Sequence, residues 1–263
     1  MTQQVPYKPD RFDQAVDHYV AARSRYAPGL INWLAEETRI AGKAVLDLGC
    51  GPGFLANALA PHTATVLGLD PSPNMIAAAR AEAAPNARFE IGSSEDLSCV
   101  EAPVQLVTMG RAFHWMDRAQ TLKDLEPLLA QDGAIALIND SVAKIPMNAW
   151  WHAFEAVGRR YAVMDDYNQH RASEAWIRHE QALDSSGFSD LRRISVFQRH
   201  SWTFERLIRH TYSRSATTEA LLGAQMTAFE EEARDVLAPF GPAPWVSLNE
   251  HIALIARRPL VAD

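Results

Sequence analysis

This sequence predicts an α/β, doubly wound fold on a mostly parallel sheet, and three observations support it. The apolar run Val45-Leu46-Asp47-Leu48 opens directly into Gly49-Cys50-Gly51-Pro52-Gly53, and a helical pattern through Leu55, Ala58 and Leu59 follows. That succession reads as a buried parallel strand, a tight turn and a helix N-terminus. A second apolar run, Thr65–Leu69, ends in Asp70, 17 residues past Gly53. Ser72-Pro73 then offers an N-cap and an N1 proline to a helix through Met75, Ile76 and Ala79. The third observation is size: 263 residues suit one α/β domain with room for an insertion.

Composition narrows the function classes. With 48% apolar and 22% charged residues the chain reads as an ordinary globule. Its net charge of −7 gives no global field favouring nucleic acid or an anionic membrane, so neither is expected as a partner. Two cysteines make no disulfide framework, which suggests a reducing cytoplasm. Met1-Thr2-Gln3-Gln4 lacks the apolar core of a secretory leader, and no apolar run approaches membrane-spanning length. No C-x-x-C pair or H-E-x-x-H points to a metal. The expected state is a monomer or homodimer.

Glycines at 49, 51 and 53 permit positive φ and close approach of a ligand, while the following helix points free N–H groups at it. A dinucleotide fingerprint would need a third glycine at position 54, which is Phe54. The spacing is instead D-x-G-x-G-x-G, from Asp47 to Gly53. It resembles motif I of the class I S-adenosylmethionine-dependent methyltransferases, a Rossmann-like family. Gly68-Leu69-Asp70-Pro71-Ser72-Pro73-Asn74-Met75 resembles their motif II. The resemblance implies S-adenosyl-L-methionine as cofactor, with S-adenosyl-L-homocysteine as product. Gly49, Cys50, Gly51 and Gly53 would wrap the cofactor, Asp47 would help hold its ammonium end, and Asp70, Pro71 and Met75 would form its ribose side. Asp70 ends the second strand, where doubly wound folds place the acceptor for two ribose hydroxyls.

Upstream, Phe12, Val16, Tyr19, Val20 and Arg23 share one helical face, and Pro28 opens a second helix carrying Leu30, Ile31 and Leu34. Tyr19-x-x-x-Arg23-x-x-Tyr26-x-Pro28 resembles the signature before motif I in methyltransferases of the trans-aconitate methyltransferase type, with Ser24 replacing a proline. It implies that residues 1–40 form a lid in which Tyr19 and Arg23 close over the methionine end, Arg23 pairing with the cofactor carboxylate. Arg88–Gly92 reads as the third strand, and its exit through Ser93, Ser94 and Glu95 resembles the family segment that reads the adenine edge.

The fourth strand, Val104–Met109, runs into Gly110-Arg111-Ala112-Phe113-His114-Trp115-Met116-Asp117. In an open parallel sheet this loop faces the ligand, and its A-F-H-W-x-D string again resembles the trans-aconitate-like group. Met109, Gly110 and Arg111 are therefore expected at the cofactor, and Phe113, His114 and Trp115 at the acceptor. His114, with a free pKa near neutrality, is the candidate base, and Tyr19 the second catalytic candidate. Trp115 and Asp117 also have plainer roles, in packing and as an N-cap for a helix from Arg118.

Ala134–Asn139 reads as the fifth strand. Residues 141–186 then leave the core pattern, with Trp150, Trp151, Phe154, Val157 and Tyr161 at helical spacing. This is too long for a βα connection and reads as a helical cap, from which Trp150 and Trp151 would reach the acceptor. Leu191–Phe197 and Val246–Arg257 are strand patterns with a helix, Glu219–Leu237, between them. The family fold implies a seven-stranded sheet with the last strand inserted antiparallel. Six arginines between Arg192 and Arg214 read as a solvated face or as attraction for an anionic acceptor.

The whole implies a single methyltransferase domain, residues 1–263, that methylates an oxygen or nitrogen of a small molecule, a carboxylate or a natural-product intermediate. An RNA or protein methyltransferase is the alternative, disfavoured by the acidic balance and the lack of a basic, aromatic-interleaved domain. A non-catalytic S-adenosylmethionine-binding regulator is another.

Overall fold

In the computed structural model, which describes residues 15–164 and 166–259, β1 (Ala44–Leu48) lies inside a seven-stranded sheet of order β3-β2-β1-β4-β5-β7-β6. The remaining strands are β2 (Thr65–Asp70), β3 (Ala87–Ile91), β4 (Val104–Gly110), β5 (Leu129–Val142), β6 (Asp190–Trp202) and β7 (Trp245–Arg257). The pairs β1–β2, β1–β4, β2–β3 and β4–β5 are parallel. β7 runs antiparallel between β5 and β6, from Ala134 opposite Arg257 to Trp202 opposite Trp245. Val45, Leu46 and Leu48 are wholly buried, the continuous apolar reading of a strand covered on both faces.

The helices α1 (Val16–Ala22), α2 (Pro28–Thr38), α3 (Phe54–Leu59) and α4 (Pro73–Ala81) accompany the first half of the sheet. Leu30, Leu34, Leu55 and Ile76 form one core with Val45 and Leu106. The opposite core gathers Leu46, Val107 and Ile135 with α5 (Arg118–Leu125) and α8 (His179–Asp184) through Leu122, Leu125 and Leu183. Ser72 caps α4, accepting from the Met75 N–H at 3.3 Å, and Asp117 caps α5, accepting from the Gln120 N–H at 3.1 Å. Phe12 lies outside the described residues.

The third core lies at the carboxyl ends of β5 and β6. It joins α6 (Ala149–Tyr161), α9 (Phe204–Tyr212) and α11 (Met226–Leu237) through Trp151, Phe154, Leu207 and Phe229, with Trp202 at the end of β6. This layer therefore has two sources, residues 143–178, including α7 (Asp166–Ala172), and residues 203–244, rather than residues 141–186 alone. α8, read as cap, instead flanks the sheet, with Leu183 beside Leu125. The helix expected over Glu219–Leu237 is broken into α10 (Glu219–Leu222) and α11 by a turn at Gly223–Gln225, where Gly223 has φ 50°. β5 runs beyond Ala134–Asn139 at both ends, because β4 pairs with it from Leu129 and β7 pairs with it as far as Val142. Among the described residues no helix is long and apolar enough to cross a membrane.

Candidate active site

The turn between β1 and α3 is tied to β2 by its backbone, with the Gly49 and Cys50 N–H groups donating to the Leu69 carbonyl at 2.8 and 2.9 Å. Its three glycines have different reasons to be glycine. A Cβ on Gly49 would stand 2.4 Å from the Ala112 Cβ, and one on Gly53 would stand 2.7 Å from the Phe89 ring, so both are demanded by packing. Gly51, at φ 52°, has only Met75 Sδ at 4.0 Å, and it lines a cavity of about 480 Å³ at the carboxyl ends of β1, β2 and β4.

Asp70 stands in the wall of that cavity. Its Oδ2 accepts from the Gly51 N–H at 2.9 Å and its Oδ1 from the Ser72 N–H at 3.0 Å, so the carboxylate is held rigidly by both the glycine turn and the start of α4. Pro71, Met75, Ser93, Ser94 and Glu95 line the same side, with the Ser93 hydroxyl accepting from the Glu95 N–H at 3.2 Å. Tyr19, Gly49, Gly110, Arg111, Trp115 and Met116 complete the other side. An elongated nucleoside with an amino-acid tail fits this wall: an acid fixed at a strand end for a diol, a backbone whose missing Cβ leaves room, and an apolar Met75 floor.

Several residues expected at the cofactor do not line this cavity. Asp47 does not line the cavity. It is wholly buried, its Oδ1 accepting from Thr108 Oγ1 at 2.8 Å and its Oδ2 from the Ala56 N–H at 3.1 Å, so it clamps α3 to β4. Burial pushes its carboxyl up to about 7, against those two bonds and with the charge of Asp70 adding to the rise. Cys50 and Met109 are buried in the packing, and burial pushes the Cys50 thiol well up. Gly53 packs on Phe89, and Arg23 turns toward the helical layer, its Nε donating to Ser213 Oγ at 2.8 Å.

Arg111 has a left-handed backbone, φ 57°, which a non-glycine residue adopts at a cost. Its surroundings over-determine it: its N–H donates to the Ile138 carbonyl at 2.9 Å and its Nη2 to the Ser24 carbonyl at 2.9 Å, while its Nε lies 2.9 Å from Asp140 Oδ1. Burial would lower this guanidinium, but Asp140, Tyr26 and Tyr19 together hold it above its ordinary value. Burial would raise Asp140, but Arg111, His251, Arg23 and His200 hold it below the usual carboxylate range. Sequence reading missed Asp140, and it gave Tyr26, quoted in the signature before motif I, no role, whereas its hydroxyl fills the place a Cβ on Gly110 would take. The spacing Tyr26…Gly110 carries no local signal, because the two meet only through the fold.

The acceptor residues also redistribute. Trp115 lines the cavity, but Phe113 is buried in the core beneath it. His114 faces a second cavity of about 450 Å³ with Tyr167 and Trp176, and the Tyr167 hydroxyl donates to its carbonyl at 3.0 Å. Desolvation, with Arg171, His179 and Arg118 nearby, holds its ring well below the ordinary histidine value. Trp150 and Trp151, expected at the acceptor, pack inside the third core instead, Trp151 lying 4.7 Å from the Trp202 ring. Their helical spacing marks a buried stripe, the ordinary use of aromatic periodicity. The basic run mostly dissolves into ion pairs, Arg192 with Glu37, Arg193 with Glu180 and Arg214 with Glu155.

Comparison with known proteins agrees with this geometry. Residues 45–133 match the methyltransferase domain family. An uncharacterised methyltransferase of Mycobacterium tuberculosis H37Rv is 32% identical over 127 residues, 48% of this chain and 51% of that protein. The ubiquinone biosynthesis O-methyltransferase of Pseudomonas paraeruginosa is 28% identical over 146 residues, 52% of this chain and 59% of the relative. The chain thus spans about half the length of the curated relatives it matches. In fold it is similar to the YcgJ protein of Bacillus subtilis, at a TM-score of 0.53 and 17% identity, covering 87% of this chain and 98% of that one. With two acid-bearing strands around one glycine turn, this sheet order and a methyltransferase domain matched over residues 45–133, the chain is similar to the class I S-adenosylmethionine-dependent methyltransferases.

Proposed function

We propose that the protein transfers a methyl group from S-adenosylmethionine to an oxygen or nitrogen of a small molecule, as the trans-aconitate-like strings around Tyr19 and His114 suggest. The observation that carries this is the wall where Asp70, fixed by the Gly51 and Ser72 N–H groups, faces the room left by the missing Gly51 Cβ. When bound, the cofactor supplies a methyl carbon already activated by its sulfonium. The chain's own residues then have three tasks. Asp70 holds the ribose hydroxyls, Ser93, Ser94 and Glu95 border the base, and Tyr19, Trp115 and Met116 exclude water from the reacting end.

A small acceptor is supported by the helical layer of residues 143–178 and 203–244, which restricts approach over the carboxyl ends of β5 and β6, and by the −7 net charge. The His114 ring lies on the second cavity, so acceptors that attack without losing a proton first, such as carboxylates and neutral amines, suit the site best. The named O-methyltransferase relative agrees with oxygen as one target. We place the protein in a reducing cytoplasm, which suits the exposed, unpaired Cys99.

The test is incubation with methyl-labelled S-adenosylmethionine and a metabolite extract, followed by mass spectrometry. Label in a small acidic or amine product is the expected result. Label only in RNA or protein would overturn the acceptor class, and cofactor binding with no turnover against any fraction would make the chain a regulator.

A further inference from the structure

Under the helical layer, basic side chains from four segments lie within electrostatic reach of one another. Arg23 follows α1, Arg111 follows β4, His210 lies on α9, and Arg214 comes just after it. Two of the arginines have a carboxylate of their own. Arg111 Nε lies 2.9 Å from Asp140, and Arg214 Nη1 lies 2.6 Å from Glu155. Arg23 has none among the described residues. Its Nε donates to Ser213 Oγ at 2.8 Å and its Nη2 to the Ser213 carbonyl at 3.2 Å, both neutral acceptors. Among the described residues, the guanidinium edge carrying Nη1 has no hydrogen-bond partner.

Asp140, in contact with Arg111, is therefore the carboxylate that Arg23 also feels, though without touching it among the described residues. Burial draws the Arg23 guanidinium down to about 10, with Tyr19 and Asp140 opposing the fall and Arg111 and Arg214 adding to it, so it stays charged at neutral pH. His210 adds no charge, because burial and the neighbouring arginines hold it well below its ordinary value. Its Nδ1 is nonetheless buried, with no hydrogen-bond partner among the described residues. A partly buried charge with no carboxylate in contact is costly, and so is a buried polar atom without a bond. The Arg23 charge reaches the His210 ring, and Arg23 adjoins the cofactor cavity, its guanidinium stacking 5.1 Å from the ring centroid of Tyr19, which lines it.

We propose that Arg23, with the His210 ring beside it, holds the anionic group of the methyl acceptor, a carboxylate or comparable monoanion, between α1 and α9. The assignment rests on the cavity being the S-adenosylmethionine site, and it moves Arg23 from the cofactor to the acceptor. The free guanidinium edge offers a planar fork to a carboxylate. Ser213, which already meets the other edge with two oxygens, keeps the fork aimed.

Thermal-shift titration tests this. The whole chain, saturated with S-adenosylhomocysteine, is titrated with aliphatic and aromatic monocarboxylates, each paired with its neutral amide. Carboxylates should raise Tm where their amides do not. Arg23→Gln should weaken the carboxylate response by about ten- to a hundredfold, leave S-adenosylhomocysteine affinity within about twofold, and be partly rescued in Arg23→Lys. Carboxylates no better than their amides would overturn the proposal. So would an Arg23→Gln variant that loses cofactor affinity and keeps the carboxylate response, because Arg23 would then serve the cofactor's own carboxylate. If Arg23→Gln does not fold, the wild-type pairs together with Arg23→Lys decide. Failure of wild-type protein to bind S-adenosylhomocysteine at all would defeat the cofactor reading first, and this one with it.

Discussion

Asp47 and Asp70 are acids on neighbouring strands with opposite uses. Asp70 is in the cavity wall, so Asp70→Ala should weaken S-adenosylhomocysteine by about 1.5–3 kcal/mol per hydrogen bond lost, read by calorimetry. An unchanged affinity would remove it from the ribose. Asp47 is internal, and its predictable effect is on stability. Its carboxyl, pushed up to about 7 by burial, keeps in the native state a proton that the unfolded chain releases at lower pH. The stability gained is complete below about pH 4 and is lost as pH rises through about 7. Asp47→Asn should therefore flatten the decline in stability across that window, followed by urea unfolding at a series of pH values. A slope equal to wild type would contradict the burial argument.

At the scale of elements, α1 is docked rather than loose. His18 meets Glu219 at 3.3 Å and Tyr212 edge-on, Arg23 bonds Ser213, and the Arg206 Nε donates to the Ala22 carbonyl at 3.4 Å. The lid and the cap read separately in the sequence are thus one joined layer. Phe229 sits wholly buried in that layer, apart from the cofactor cavity. Phe229→Ala should cost about 3–5 kcal/mol in chemical unfolding while changing S-adenosylhomocysteine affinity far less. Equal loss of both would show that the layer and the cavity form one energetic unit. His114→Ala belongs here too. Its ring faces the second cavity, so the variant should lose stability through its contacts with Tyr167 and Trp115 and keep cofactor affinity. A kcat fall of about 10²–10⁴ with stability intact would restore it as a base.

For the whole molecule, the legible part was the local part. The glycine turn, Asp70, the Ser72 and Asp117 caps and the strand patterns all announce themselves within a few residues, because turn chemistry and capping act over that range. What stayed hidden is long-range: Tyr26 against Gly110, Asp140 beside Arg111, and the second half of the cap arriving between β6 and β7. The Trp150–Trp151 stripe was visible but ambiguous, since helical spacing gives a buried face without saying what it is buried against. The central claim is that Gly51 and Asp70 form the wall of an S-adenosylmethionine site, and calorimetric titration of wild type and Gly51→Val with S-adenosylhomocysteine tests it most directly. The account predicts saturable binding by the wild type, none by the folded variant, and for the wild type alone a stabilisation of about 2.7 kcal/mol at a hundred times Kd. Equal affinity in the two proteins, or a preference for NAD over S-adenosylhomocysteine, would contradict it.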